Sequence, residues 1–201
     1  MLRSSRRSLA AAAGSALALA AGLSACVPPA GRKVPPLNGG VLDQPLVVPP
    51  LSLRRADGQP FNTGEARGRW WLAFFGYTSC PDVCPLTLAY MTQVRRLLGA
   101  RAPAAYFITV DPERDTPERL AAYMSNFDPG IVALTGTEAE LALAREAFGV
   151  VAQRRPVAGA AGYSVDHTAL VFLVDPEARV RVVYPHGMVP ADIAADLKRL
   201  M

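Results

Sequence analysis

The chain has 201 residues, 51% of them hydrophobic and 19% charged, with a formal net charge of +4. That length suits one sizeable core rather than two, and the composition fits a globular domain rather than a disordered one. Residues 1–25 hold three arginines (Arg3, Arg6, Arg7) and no acid, so beyond them the charge falls from +4 to +1 and nothing argues for nucleic acid as a partner.

Residues 1–25 have the shape of a secretory signal peptide: a basic start, then an Ala-rich apolar run from Leu9 to Leu23. The run is too short and too weakly apolar for a membrane span, which needs about 20 strongly apolar residues. It ends in Leu23-Ser24-Ala25-Cys26, which resembles the lipobox of bacterial lipoproteins. The resemblance implies cleavage before Cys26, a lipid on its sulfur, and a domain held by that lipid anchor to a membrane of the bacterial cell envelope, facing the periplasm. The plainer alternative is an ordinary cleavage site beside a stray cysteine. Ser5-Arg6-Arg7-Ser8-Leu9 also resembles a twin-arginine export signal, which leaves the export route open between that and the general one.

Residues 26–50 are rich in Pro and Gly and read as an extended tether. The folded domain is expected over 51–201. Leu51–Arg55 and Gln59–Asn62, joined by Asp57-Gly58, predict a hairpin at its N-terminus. Trp70–Phe75 is a continuous apolar run, as in a strand buried on both faces. Beyond the Gly76–Pro85 loop, Leu86, Leu88, Met91, Val94, Leu97 and Leu98 recur at helical spacing, stopped by Gly99. A strand over Ala105–Val110, a helix from Thr116 to Asn126, a strand over Ile131–Leu134 and a helix over Glu138–Phe148 follow. Gln153–Gly162 looks like an insertion, either a passive surface loop or a docking element. Ala169–Val174 and Val180–Tyr184 predict an antiparallel pair, and Val189–Leu200 a last amphipathic helix. Strands alternating with helices require an α/β fold with a mixed central sheet flanked by helices. A long first strand leading through a cysteine loop into a helix matches a thioredoxin-like arrangement.

The chemistry concentrates in Cys80-Pro81-Asp82-Val83-Cys84-Pro85. Four residues on, one helical turn sets both thiols on the same face. Pro85 suits a first helical position, which would place Cys84 near the N-cap, where the helix dipole favours a thiolate. Such a pair either chelates a soft metal ion, closes to a redox-active disulfide, or merely staples the loop. His167 precedes a strand expected at the sheet centre, and fold analogy brings it near the loop. Two thiolates and an imidazole form a three-coordinate soft site suited to Cu(I) and adequate for Cu(II). Asp166 either orients the imidazole or is simply solvated.

Phe75–Pro85, Val110-Asp111-Pro112-Glu113-Arg114-Asp115-Thr116-Pro117 and Asp166-His167-Thr168, taken together and in order, resemble the Sco/SenC family over roughly residues 46–200. The family is thioredoxin-like. The resemblance implies one copper ion per chain on Cys80, Cys84 and His167. It also implies a metallochaperone role in building the binuclear copper site of cytochrome c oxidase, by delivering copper or by reducing the target's cysteines. Partners implied are the copper-site subunit of the oxidase, with other copper chaperones or thiol reductants. Asp111 reads as a strand end and Asp115 or Thr116 as a helix cap, or else Asp111 or Asp115 shapes the site or meets a partner; Asp82 lies inside the motif. His186-Gly187 reads as a turn, and Met91 and Met124 as packing. The competing readings are a thiol-disulfide oxidoreductase and a redox or copper sensor using the same cysteine pair.

Overall fold

The computed structural model describes residues 36–156 and 162–201; the leader, Cys26 and the first part of the tether lie outside the described residues. The compact unit begins at Pro36, earlier than the sequence suggested. Gly40–Val47, assigned above to the tether, forms strand β1. It pairs antiparallel with the strand Arg179–Pro185 and its register shifts between Val41 and Leu46. An edge strand tolerates Pro45, which has no N–H to donate, because an outward-facing position there has no neighbour to bond; Pro and Gly had hidden the strand.

The expected hairpin is present as β2 (Ser52–Arg55) and β3 (Pro60–Asn62), closed at Asp57-Gly58 with Gly58 at φ +84°. Strand β4 (Trp71–Gly76) is buried at all six positions. The chain continues through α1 (Val83–Leu98), β5 (Ala104–Thr109), α2 (Pro117–Met124), β6 (Ile131–Thr135) and α3 (Glu138–Phe148). Then come β7 (Ala152–Pro156), β8 (Tyr163–His167), β9 (Leu170–Val174), β10 (Arg179–Pro185) and α4 (Pro190–Leu200).

Eight strands form one sheet in the order β1-β10-β9-β4-β5-β6-β2-β3. The β4, β5 and β6 strands run parallel to one another, while β9 pairs antiparallel with β4. This is the mixed sheet with flanking helices expected of a thioredoxin-like domain. Helix boundaries follow the local chemistry. Thr116 caps α2 and Pro117 fills its first position. Thr137 and Glu140 close a reciprocal capping box on α3, and Gly149, in the left-handed conformation, stops it.

Adjacent residues of β4 point to opposite faces, and each face has an aromatic core. Phe75 meets Phe148 at 5.2 Å and Phe172 at 6.1 Å between ring centroids, and Trp71 joins them through Phe148. Phe74 meets Phe107, which meets Tyr123 of α2. Each such fully buried ring contributes about 1.5–3 kcal/mol. Because β4 is clamped from both faces, its C-terminal end is a rigid point from which the cysteine loop departs.

Part of the expected Gln153–Gly162 insertion is regular structure: β7 pairs with β8 as a separate two-stranded sheet, and residues 157–161 lie outside the described ones. His167 is the last residue of β8.

Candidate functional site

The loop between β4 and α1 starts at Gly76, whose carbonyl accepts a bond from the Val110 N–H at 2.9 Å. A Cβ at Gly76 would lie 2.7 Å from the Phe107 ring and 2.8 Å from the Cys84 sulfur, so only glycine leaves room for that thiol. Asp115, 1% exposed, holds the loop from below. It accepts bonds from the Thr78 N–H at 3.1 Å, the Thr78 hydroxyl at 2.6 Å and the Thr109 hydroxyl at 2.6 Å. Burial raises its pKa, and the same hydroxyl and N–H bonds pull the other way. On the outer side Arg119 donates to the Thr78 and Ser79 hydroxyls. Of the two residues expected as the helix cap, Thr116 caps α2, and the Asp115 carboxylate positions the cysteine loop.

Helix α1 begins at Val83, two residues before the expected start, with Asp82 as N-cap residue making no side-chain cap bond. Pro85 then occupies the third helical position, still among those whose N–H has no partner inside the helix. This shift reverses the expected roles of the two thiols. The sulfur of Cys80, half-buried, accepts from the Cys84 N–H at 3.5 Å. Its pKa falls to about 5, first through the hydrogen bond with the Cys84 thiol and then through the N–H groups of Asp82, Cys84 and Val83, against an opposing desolvation. Cys84 is buried, and its pKa is raised by the bond to Cys80, by burial and by the charge on Cys80. The helix terminus thus favours a thiolate at Cys80 rather than Cys84.

His167 reaches the pair from β8. Its Nε2 lies 3.2 Å from the Cys84 sulfur, and its ring stands edge-on to Tyr77 and Phe74, with centroids 5.7 and 6.3 Å away. Burial lowers the imidazole pKa, with Asp166 opposing, so a neutral ring faces a protonated thiol. A pocket of about 260 Å³ opens beside the imidazole between Val151, Gln153, Asp166 and Thr168. Among the described residues no three His, Cys, Asp or Glu side chains stand as a ready-made metal cluster. Cys84 and His167 are in contact, while the Cys80 sulfur is engaged with the start of the helix. The donor chemistry is nonetheless that of a soft site: two sulfurs and an imidazole nitrogen, one of the sulfurs already favouring the thiolate form.

The other candidates fall at different distances from this centre. Asp166 pairs with Arg155 at 3.0 Å, because neighbours on a strand face opposite ways and His167 faces inward. Asp82 is exposed. Asp111, fully buried, binds Arg114 and accepts from the Tyr163 hydroxyl at 2.8 Å. His186 Nδ1 lies 3.0 Å from the Thr87 hydroxyl. Met91 is buried and Met124 packs against the core, as expected. Four residues were given no role from sequence: Thr78, Tyr77, Arg114 and Tyr163. All lie inside or beside the three motifs, but nothing in a linear pattern shows that their side chains meet.

The family model described as SCO1/SenC matches residues 41–201. Over 160 residues the chain is 34% identical to the mitochondrial SCO1 homologue of Mus musculus, a match covering 78% of this chain and 56% of that protein. The chain thus spans little more than half the length of that relative. Among solved structures it is similar to Bradyrhizobium japonicum ScoI with copper bound (TM-score 0.71, 39% identity, 77% of this chain and 99% of the other). It is also similar to BsSco, described as carrying a disulfide switch and as a member of the Sco family of cytochrome c oxidase assembly proteins. There the TM-score is 0.63 with 28% identity, over 79% of this chain and 95% of the other.

Proposed function

This chain belongs to the SCO1/SenC family, and from that premise we propose that it binds one copper ion through Cys80, Cys84 and His167 and serves the assembly of the binuclear copper site of cytochrome c oxidase. The observation that carries the reading is the 3.2 Å contact between Cys84 Sγ and His167 Nε2. Residues far apart in sequence present a thiol and a neutral imidazole to one point, beside a second thiol that favours its thiolate. Copper is cargo here: the site holds it while both sulfurs are reduced and releases it when they join. A lipid on Cys26 would keep the domain in the bacterial envelope near its target. Among the described residues no helix is long and apolar enough to cross a membrane.

The test is copper stoichiometry with optical and EPR spectroscopy on the wild type beside Cys80→Ser, Cys84→Ser and His167→Ala. One copper per chain is expected for the wild type. His167→Ala should lose tight Cu(II) binding and its thiolate-to-copper absorption while its dithiol still cycles. Wild-type copper affinity in His167→Ala would sink the three-ligand site.

A second reading is favoured by the inequality of the two thiols. A half-buried thiol with its pKa near 5 beside a buried one with its pKa raised is the arrangement of an attacking and a resolving cysteine. In that reading two electrons leave the Cys80–Cys84 pair as it closes to a disulfide, and the target's disulfide takes them up. Reduction of a peptide carrying the target's cysteine pair by copper-free protein separates it from delivery.

A further inference from the structure

We propose that Arg114 is a positioning residue for His167, latching the β7–β8 hairpin over the cysteine loop so that the imidazole meets Cys84. The inference deepens the reading of His167 as a copper ligand and rests on it only for its copper measurement.

The hairpin needs such a latch. β7 and β8 bond to each other and form no part of the eight-stranded sheet, and a two-stranded ribbon alone is marginally stable. Tyr163, Val165 and His167 alternate along β8 and so share one face. The near end of β8 runs into β9 at Leu170, so whatever holds Tyr163 fixes the far end of the strand that carries His167, four residues and about 13 Å away.

Arg114 holds Tyr163 in three ways. Its Nη1 donates to the Tyr163 carbonyl at 2.9 Å. The guanidinium carbon lies 3.8 Å from the Tyr163 ring centroid and 5.5 Å from that of Tyr77 in the cysteine loop. Its Nε is bound to Asp111, which also accepts the Tyr163 hydroxyl bond. Tyr77 in turn accepts from the Val165 N–H at 3.3 Å, which makes the loop and the His-bearing strand one unit. A planar guanidinium stacks on the Tyr163 ring while separate N–H groups of its fork donate to Asp111 and to the Tyr163 carbonyl; an ammonium has no plane to stack and no fixed fork.

The test compares Arg114→Leu, Arg114→Lys, Tyr163→Phe and the double change Asp111→Asn with Arg114→Leu, which avoids stranding a buried carboxylate. In metal-free protein, amide exchange at Val165 should rise about tenfold or more in the double variant while β4 and β5 amides keep their protection. The His167 ring resonances should move to those of a solvent-exposed imidazole. Arg114→Lys should not restore the wild-type values. With copper, the Cu(II) spectrum of the double variant should approach that of His167→Ala. A folded double variant, or Arg114→Lys, with wild-type Val165 exchange and His167 resonances overturns the latch. Tyr163→Phe decides in the same way should the others not fold: roughly threefold faster Val165 exchange supports the latch, and unchanged exchange overturns it. Failure of the wild type to take up copper would overturn the metal reading alone, since the metal-free measurements stand without it.

Discussion

Nε2 of His167 lies 3.2 Å from the sulfur of Cys84, 83 residues earlier in the chain, and the imidazole stands edge-on to the rings of Phe74 and Tyr77. In this contact both partners are neutral, for separate reasons: burial disfavours the imidazolium, and Cys80 together with burial keeps the Cys84 proton in place.

Copper uptake should therefore release about one proton per ion at pH 7. Cys80, with its pKa near 5, is already a thiolate, His167 is already neutral, and Cys84 alone has a proton to give. Calorimetry of Cu(I) transfer in buffers of different ionisation enthalpy reads this number directly. Release of two protons would mean that Cys80 is an ordinary thiol.

Alkylation should separate the two sulfurs. In reduced, metal-free protein the iodoacetamide rate at Cys80 should already lie on its plateau at pH 7 and fall only as the pH drops toward about 5. Cys84 should stay unmodified over the same range. Mass spectrometry of peptides from a pH series distinguishes the two sites, and equal labelling would contradict the assignment.

Gly76→Ala should damage the site from below. The added methyl meets the Cys84 sulfur and the Phe107 ring, both held by the core. A cost of about 1–3 kcal/mol in denaturant unfolding is expected. Copper affinity should fall as well, because the sulfur must move. A variant with wild-type stability and affinity would show that the floor of the site yields.

Asp115→Ala should cost about 1–3 kcal/mol for leaving the buried Thr109 hydroxyl and the half-buried Thr78 N–H without their acceptor. Asp115→Asn tests the charge instead. A carboxyl whose pKa is higher folded than unfolded incurs no ionisation penalty below its unfolded value and the full penalty above its folded one. The stability of the wild type relative to Asp115→Asn should therefore decline as pH rises through the acid range. Urea midpoints between pH 3 and pH 7 provide the comparison, and a rising difference would reverse the sign of the shift.

The βαβαβα order and the hairpin at Asp57-Gly58 were legible because buried runs, caps and turn residues are local signals, whereas only fold analogy and the family resemblance brought His167 to the cysteine loop. Four features were not legible. β1 carries Pro45 and an irregular register, which only an edge position tolerates. β7 exposes Gln153, Arg154 and Arg155 and buries no apolar face of its own, so no alternation marks it. The roles of the two thiols depended on where α1 begins, and Pro85 fits the first and the third helical position equally well. The side-chain unit of Asp111, Arg114 and Tyr163 joins residues about 50 apart and is a product of the fold alone.

The unequal exposure of the two sulfurs gives the site a front and a back. Any electrophile arriving from solvent, whether a partner's disulfide or an oxidant, meets Cys80 before Cys84. On the thiol-disulfide reading, a covalent adduct with a partner should therefore form at Cys80 and be resolved from behind by Cys84 once its proton has left. Cys84→Ser should consequently trap the partner as a stable mixed disulfide, which makes this variant the natural bait for capturing the partner intact.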